Sequence, residues 1–376
     1  MKLAIPRETV PGETRVAATP ESVKKFKGLG LDVTVEAGAG AHARIADADY
    51  AAAGATIAPD ARAALADADI VLKVRGPGAA ESALLKKGAV VAAMLAPHTE
   101  KAAIATLAGQ GATAFAMEFL PRISRAQAMD VLSSQSNLAG YKAVIDAAAT
   151  FGRAMPMMMT AAGTIAPARV LVMGVGVAGL QAIATAKRLG AIVSATDVRP
   201  ATKEQVESLG GTFVAVMDEE FKNAQTAGGY AKEMSAEYQA KQAALIAETI
   251  KKQDIIITTA LIPGRKAPVL VSEEMIKTMK PGSVIVDLAA EAGGNTPLTK
   301  SGEVVEVHGV TIMGYSNLPG RLAVDASSLY ARNLFNFVSL LVDKKTGALA
   351  IDWNDEIVKG ALVAKDGEVV HPAVKS

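Results

Sequence analysis

A chain of 376 residues is too long for one ordinary domain and comfortable for two, each large enough to bury its own core. Lys and Arg number 39 against 38 Asp and Glu, which leaves no basic field to attract nucleic acid or an acidic membrane surface. Cysteine is absent, so disulfides, thiol nucleophiles and thiolate metal sites are excluded, no metal centre is expected, and redox work needs a bound cofactor. Half of the residues are hydrophobic but only 4% are aromatic, a composition suited to helices packed on parallel sheets, and the fold class is read as α/β.

The start, MKLAIPRETVPGE, carries Lys2, Arg7, Glu8 and Glu13 and reads as a first strand and turn, with no apolar core of signal-peptide length. Short apolar runs then alternate with helical patterns. LAIP (3–6), DVTVEAG (32–38), DIVLKV (69–74), AVVAAML (89–95) and ATAFAME (112–118) are predicted strands. A helix over 20–28 has Thr19 as N-cap, Pro20 at its first position, and Gly28 and Gly30 closing it.

SNLAGYKAVIDAAATFGR (136–153) is helical, followed by the aperiodic MPMMMTAAGTIAPA, and the chain is expected to cross into a second domain here. RVLVMGV (169–175), AIVSATD (191–197), DIIITTA (254–260), SVIVDLA (283–289) and VTIMGYS (310–316) form a second strand set. Beyond Ser316, residues Leu329, Leu334, Phe335, Phe337, Val338 and Leu341 mark an amphipathic helix returning to the first domain. The expected architecture is two doubly wound Rossmann-like domains, 1–135 with 320–376 and 136–319, with a cleft between them as the ligand site. The most apolar stretch, 170–186, holds three glycines and Gln181 and falls short of the roughly 20 residues a spanning helix needs, so no transmembrane segment is read.

The strongest motif lies at the start of the second set. Gly174, Gly176 and Gly179 form GxGxxG between a strand and a helix, and a second strand ends in Asp197. The glycines permit a tight turn, close approach of backbone to a pyrophosphate, and helix packing on the strand. Val177 and Ala178 open the helix, whose free N–H groups and dipole favour an anion. The Asp197 carboxylate accepts from the adenosine ribose hydroxyls and would repel a 2′-phosphate, which points to NAD(H) over NADP(H). Val198 and Arg199 follow on the same loop, and Arg199 tempers that preference because an arginine there can accommodate a 2′-phosphate.

With these residues in view, the chain resembles the NAD(H)-binding component of proton-translocating nicotinamide nucleotide transhydrogenases along nearly its whole length. The resemblance rests on RETVPGETRVAATPE (7–21), PRISRAQAMDVLSSQSNLAGY (121–141), the fingerprint, TAGGYAKEM (226–234), TTALIPG (258–264) and DLAAEAGGN (287–295). The fold is shared with alanine dehydrogenase, in which an Arg and a Lys hold the substrate carboxylate while a His and an Asp support proton transfer. Arg15 and Lys73 are retained here, but Ala96 stands at the His position and Glu291 at the Asp position. Hydride transfer between two nicotinamides moves no proton at the reacting carbons, so a transhydrogenase dispenses with that base and relies on positioning. His98, two residues on, reads as a loop histidine.

The resemblance implies that Arg122, Gln127, Asp130 and Ser133 hold the nicotinamide end of NAD(H), with Ile123, Ser124, Ala128 and Met129 of the same loop as further cofactor-binding residues. SRAQ (124–127) also reads as a capping box, Ser124 capping and Gln127 reaching back. Gly228, Gly229 and Tyr230, within a spacer at 217–244, resemble a mobile lid, although an exposed hairpin reads equally well there. Gln242 and Leu261 are carried over as further nucleotide contacts. The implied activity is hydride transfer between NAD(H) here and NADP(H) on an NADP-binding partner subunit. A membrane-spanning subunit would couple it to proton movement, and the chain is expected to be a homodimer, cytoplasmic and peripheral to the inner membrane. An alanine dehydrogenase-like enzyme gripping a carboxylate with Arg15 and Lys73 is the alternative, and a non-enzymatic NAD sensor a third.

Overall fold

The computed structural model of the chain describes residues 1–224 and 234–375. Contacts divide it into two units, one formed by Met1–Gln135 with Pro319–Ser376 and the other by Ser136–Leu318. The boundary falls inside the helix Val131–Thr150, which begins earlier than its sequence pattern suggests.

The first unit holds an eight-stranded sheet. Its parallel strands Lys2–Ile5, Asp32–Glu36, Thr56–Ala58, Ile70–Arg75, Val90–Met94 and Thr113–Ala116 are extended by an antiparallel pair, Leu362–Lys365 and Glu368–Val369. The strands read as unbroken apolar runs because both faces are covered. Leu3, Ile5, Ile70, Leu72 and Val90 enter one core, while Ala4, Val71, Val91 and Ala93 enter the other. The helix Ala323–Leu341 buries Leu334, Phe337, Val338 and Leu341 in the first of these cores. Thr19 caps the helix Pro20–Gly28 in a reciprocal capping box with Ser22.

The second unit holds seven strands in the spatial order Thr212–Phe213, Ile192–Thr196, Arg169–Met173, Ile255–Thr258, Val284–Asp287, Val310–Met313, Val304–Val307, and only the last is antiparallel. Alternation again feeds two cores, with Val170, Val172, Ile255 and Ile257 on one face and Leu171, Met173 and Ile256 on the other. From Arg169–Met173 the chain builds two strands outward on one side, then returns to lay Ile255–Thr258 on the other. This reversal opens the crevice at the carboxyl ends of neighbouring strands where α/β sheets take ligands. The aperiodic methionine-rich run forms a small hairpin, Met158–Thr160 against Gly163–Ile165. Among the described residues no helix is long and apolar enough to cross a membrane.

Candidate functional site

The fingerprint turn sits at that reversal. Gly174 leaves the central strand with φ +99°, and a Cβ there would lie 2.4 Å from the Thr259 hydroxyl, so both conformation and space demand glycine. A Cβ on Gly179 would come within 1.9 Å of the Gly174 carbonyl oxygen, which is why the helix can start so close under the strand end. Gly176 precedes the helix Val177–Arg188 and offers no side-chain cap, leaving the first-turn N–H groups for an outside acceptor. Gly140 adds a contact of the same kind from the helix Val131–Thr150, since its Cβ would meet the Ala178 carbonyl oxygen at 2.0 Å. Glycine within a helical pattern is the only sign of it in the sequence.

One peptide plane of the turn is held at both ends. The Gly174 carbonyl accepts from Thr259 Oγ1 at 3.0 Å, and the Val175 N–H of the same plane donates to Asp197 Oδ2 at 2.7 Å. The Asp197 side chain is largely buried, and Arg199 closes on it while also donating to the Val175 carbonyl at 3.2 Å. Burial works to raise the Asp197 pKa, but the Arg199 guanidinium and the Val175 N–H outweigh it and hold the carboxyl below the usual range. Val198 and Leu261, 63% and 58% exposed, stand just past the ends of the two strands that flank the central one. Such apolar surface beside an uncapped helix start can take the face of a flat heterocycle. Gln242, on the helix Ala236–Ile250, binds the Val216 N–H at 2.8 Å and Thr196 Oγ1 at 3.3 Å, tying that helix to the strand that ends before Asp197. Gly228, Gly229 and Tyr230 lie outside the described residues.

The remaining predicted residues belong to the first unit. Ser124 does not cap a helix: Ser124–Met129 is a 3-10 turn whose N-cap position, Ile123, makes no side-chain cap, so the capping-box reading of SRAQ is wrong. The next helix is capped instead by Asp130, which accepts the Ser133 N–H at 2.8 Å and the Ser133 hydroxyl at 2.5 Å. The loop backbone is anchored from the helix Ala323–Leu341, where Asn333 and Asn336 each donate to the Ala128 carbonyl at 2.9 Å. Arg125 pairs with both oxygens of Asp355 at 2.6 and 2.8 Å. Met129 is buried and Ile123 half-buried beneath this turn, whereas Arg122, Gln127 and Ala128 are exposed. A fixed backbone thus presents two exposed polar side chains beside a capping carboxylate.

Arg15 and Lys73 are buried and engaged. Glu13 takes the Arg15 guanidinium as a fork, Nε to Oε1 and Nη2 to Oε2 both at 2.7 Å, and Gln135 takes Nη1 at 2.8 Å. Lys73 donates to Glu81 at 2.8 Å and to the Arg7 carbonyl at 3.1 Å, with Glu8 at 3.8 Å. Burial pushes the Glu8 carboxyl up to about 7, against the lowering pull of Lys73 and of the Val74 and Arg75 N–H groups. Ala96 adopts φ +47° with its N–H on Glu118, and the His98 and Phe119 rings meet in a T-shaped contact. Glu291 is exposed in a short 3-10 turn.

Residues 4–139 match the family model described as alanine dehydrogenase/PNT, N-terminal domain, and residues 143–372 its C-terminal domain. An NAD(P) transhydrogenase subunit alpha polypeptide of Rhodospirillum rubrum is 60% identical across all of this chain and 99% of that protein. The corresponding polypeptide of Rickettsia prowazekii is 47% identical over 100% of this chain and 97% of its own length. An alanine dehydrogenase of Halomonas elongata is 32% identical over 100% of this chain and 96% of its own. Among solved structures, a transhydrogenase from Sinorhizobium meliloti superposes with TM-score 0.90 at 55% identity, covering 98% of this chain and all of that one. An L-alanine dehydrogenase superposes with TM-score 0.81 at 27% identity over 100% of this chain and 98% of that one. The chain therefore belongs to the alanine dehydrogenase/PNT family, as a transhydrogenase component of the alpha-subunit kind.

Proposed function

We propose that this chain binds NAD(H) at the Gly174–Gly179 turn and exchanges hydride with NADP(H) held by a partner subunit, driven by or driving proton translocation in a membrane-spanning subunit. The observation that carries the reading is the paired arrangement of an uncapped helix start and a largely buried carboxylate, Asp197, bonded to the turn itself. The helix N–H groups neutralise the pyrophosphate, and Asp197 selects the dinucleotide with a free 2′-hydroxyl. Val198 and Leu261 cover the adenine, and Gln242 steadies the loop beside it. Arg122, Gln127, Asp130 and Ser133 orient the carboxamide of the nicotinamide. Bound NAD(H) supplies or receives the hydride, and the chain contributes orientation and exclusion of water rather than a proton.

The amino acid dehydrogenase reading needs Arg15 and Lys73 to grip a substrate carboxylate. In this chain the Glu13 and Glu81 carboxylates already pair with those two cations, and Ala96 carries no base. In the assembled protein the chain acts as a homodimer on the cytoplasmic face, attached to the inner membrane through its partners.

The test is a set of assays on the purified chain. NADH titrated by nicotinamide fluorescence should bind, while alanine, pyruvate and ammonia with NAD(H) should give no turnover until an NADP-binding transhydrogenase subunit is added, whereupon hydride transfer to NADP analogues begins. Robust alanine oxidation, or silence after the partner is supplied, overturns the proposal.

A further inference from the structure

We propose that Asn295 is a positioning residue for the dinucleotide, acting through Thr259 on the Gly174 peptide; the inference rests on the NAD(H) reading above. Asn295 lies 35 residues beyond Ala260 in sequence and is fully buried. Its amide exchanges both hydrogen bonds with the Ala260 backbone, Oδ1 accepting from the N–H at 3.1 Å and Nδ2 donating to the carbonyl at 2.8 Å. The second Nδ2 hydrogen goes to the Pro268 carbonyl at 2.8 Å. The Asn295 carbonyl accepts from Leu270 and Val271, and its N–H donates to Asp287 Oδ2 at 2.7 Å. Every polar group of this residue is therefore engaged, which fixes it as a rigid bracket rather than a passing contact.

What supports the bracket is equally specific. Asp287, wholly buried at the end of its strand, accepts from the Ala289 N–H at 2.9 Å and the Thr299 hydroxyl at 2.6 Å besides Asn295. Gly293 and Gly294 both take positive φ, +95° and +79°, and a Cβ on Gly294 would sit 2.9 Å from Asp287 Oδ2. The two glycines thus turn the chain so that Asn295 can reach back to the carboxylate. What the bracket holds is the segment that carries Thr259. Thr259 in turn fixes the Gly174 carbonyl, and the N–H of that peptide plane is the one bonded to Asp197. A plane held at only one end is free to tilt, which misdirects the N–H groups of the turn. Asn295 thus reaches the fingerprint only through its neighbours, by clamping the peptide next to Thr259.

The experiment is a double-mutant cycle on NADH affinity, read by nicotinamide fluorescence in the full chain with thermal unfolding alongside. Thr259→Val and Asn295→Ala should each raise the NADH Kd roughly tenfold, the loss expected for about one buried hydrogen bond. Thr259→Ser, which keeps the hydroxyl, should return to within about twofold of the wild type. Because the two residues act in series, the double variant should lose roughly tenfold again from wild type, not the roughly hundredfold of independent sites. If Asn295→Ala does not fold, Asn295→Ser replaces it in the cycle. Unchanged affinity in Thr259→Val or in the Asn295 variant, failure of Thr259→Ser to rescue, or a multiplicative double variant would overturn the relay. A wild-type chain that does not bind NADH would instead overturn the NAD(H) reading itself.

Discussion

Arg199 holds both carboxylate oxygens of Asp197, Nε to Oδ1 and Nη2 to Oδ2 each at 2.9 Å, and its own N–H completes the grip at 2.9 Å. The carboxylate that would receive ribose hydroxyls is thus already paired with the cation best suited to a 2′-phosphate. On the NAD(H) reading proposed above, the balance between these two side chains is what sets the preference between dinucleotides.

Asp197→Ala should therefore do more than weaken binding. NADH affinity should fall roughly 10- to 100-fold, as expected for hydrogen bonds to a charged group, while NADPH affinity rises because Arg199 is released. Fluorescence titration with both dinucleotides reads the ratio directly. An unchanged NADH-to-NADPH ratio would remove Asp197 from the selection of cofactor.

Gly140→Val places side-chain carbon where the Ala178 carbonyl stands 2.0 Å from an ideal Cβ. Backbone cannot retract as a flexible side chain does, so the two helices must separate. A loss of about 2 kcal/mol or more is expected, seen as a lower denaturant midpoint, with weaker NADH binding as the fingerprint helix shifts. Wild-type stability in this variant would mean that the two helices do not meet at Gly140.

Asp130 has two candidate duties, and one substitution separates them. Asp130→Asn keeps an oxygen for the Ser133 N–H, so the helix cap should survive and thermal unfolding should move little. Hydride transfer in the reconstituted complex should nonetheless drop roughly tenfold if the carboxylate helps orient the nicotinamide. Full activity would reduce Asp130 to a cap.

Glu8 gives a pH signature. In the fold it keeps its proton up to about 7, whereas the unfolded chain releases it near 4.5. Between those values the folded state binds more protons, so this group's contribution to stability declines as pH rises through the window. Glu8→Gln removes that slope. Its stability relative to wild type should improve by about 2 to 3 kcal/mol on going from pH 4.5 to pH 8, measured by urea unfolding at both ends. A constant difference across that range would show that Glu8 titrates normally.

The long parallel strands are readable from the sequence because burial on both faces writes them as uninterrupted Val, Ile, Leu and Ala runs, and the fingerprint because its glycines fall between such a run and a helix. Edge strands escape that reading. Val304–Val307 leaves half its positions exposed, and Glu368–Val369 is only two residues long. SRAQ misleads because a capping box is judged on four neighbouring residues, while the choice between Ser124 and Asp130 depends on the Asn333 and Asn336 amides that fix the Ala128 carbonyl from 205 and 208 residues away. Asn295 is hidden for the same reason. Its string, DLAAEAGGN, stands out, but its partners at 260, 268 and 287 are assembled only by the sheet.

The close approaches at Gly140 and Gly179 have a kinetic corollary. A helix start wedged between two backbones has no slack to adjust when a ligand arrives, so the cradle does not need to be moulded by its guest. On the proposed reading, dinucleotide exchange then carries no cost for reshaping this helix start. On that reading, a component that swaps oxidised for reduced cofactor at every cycle gains speed from such stiffness rather than losing it.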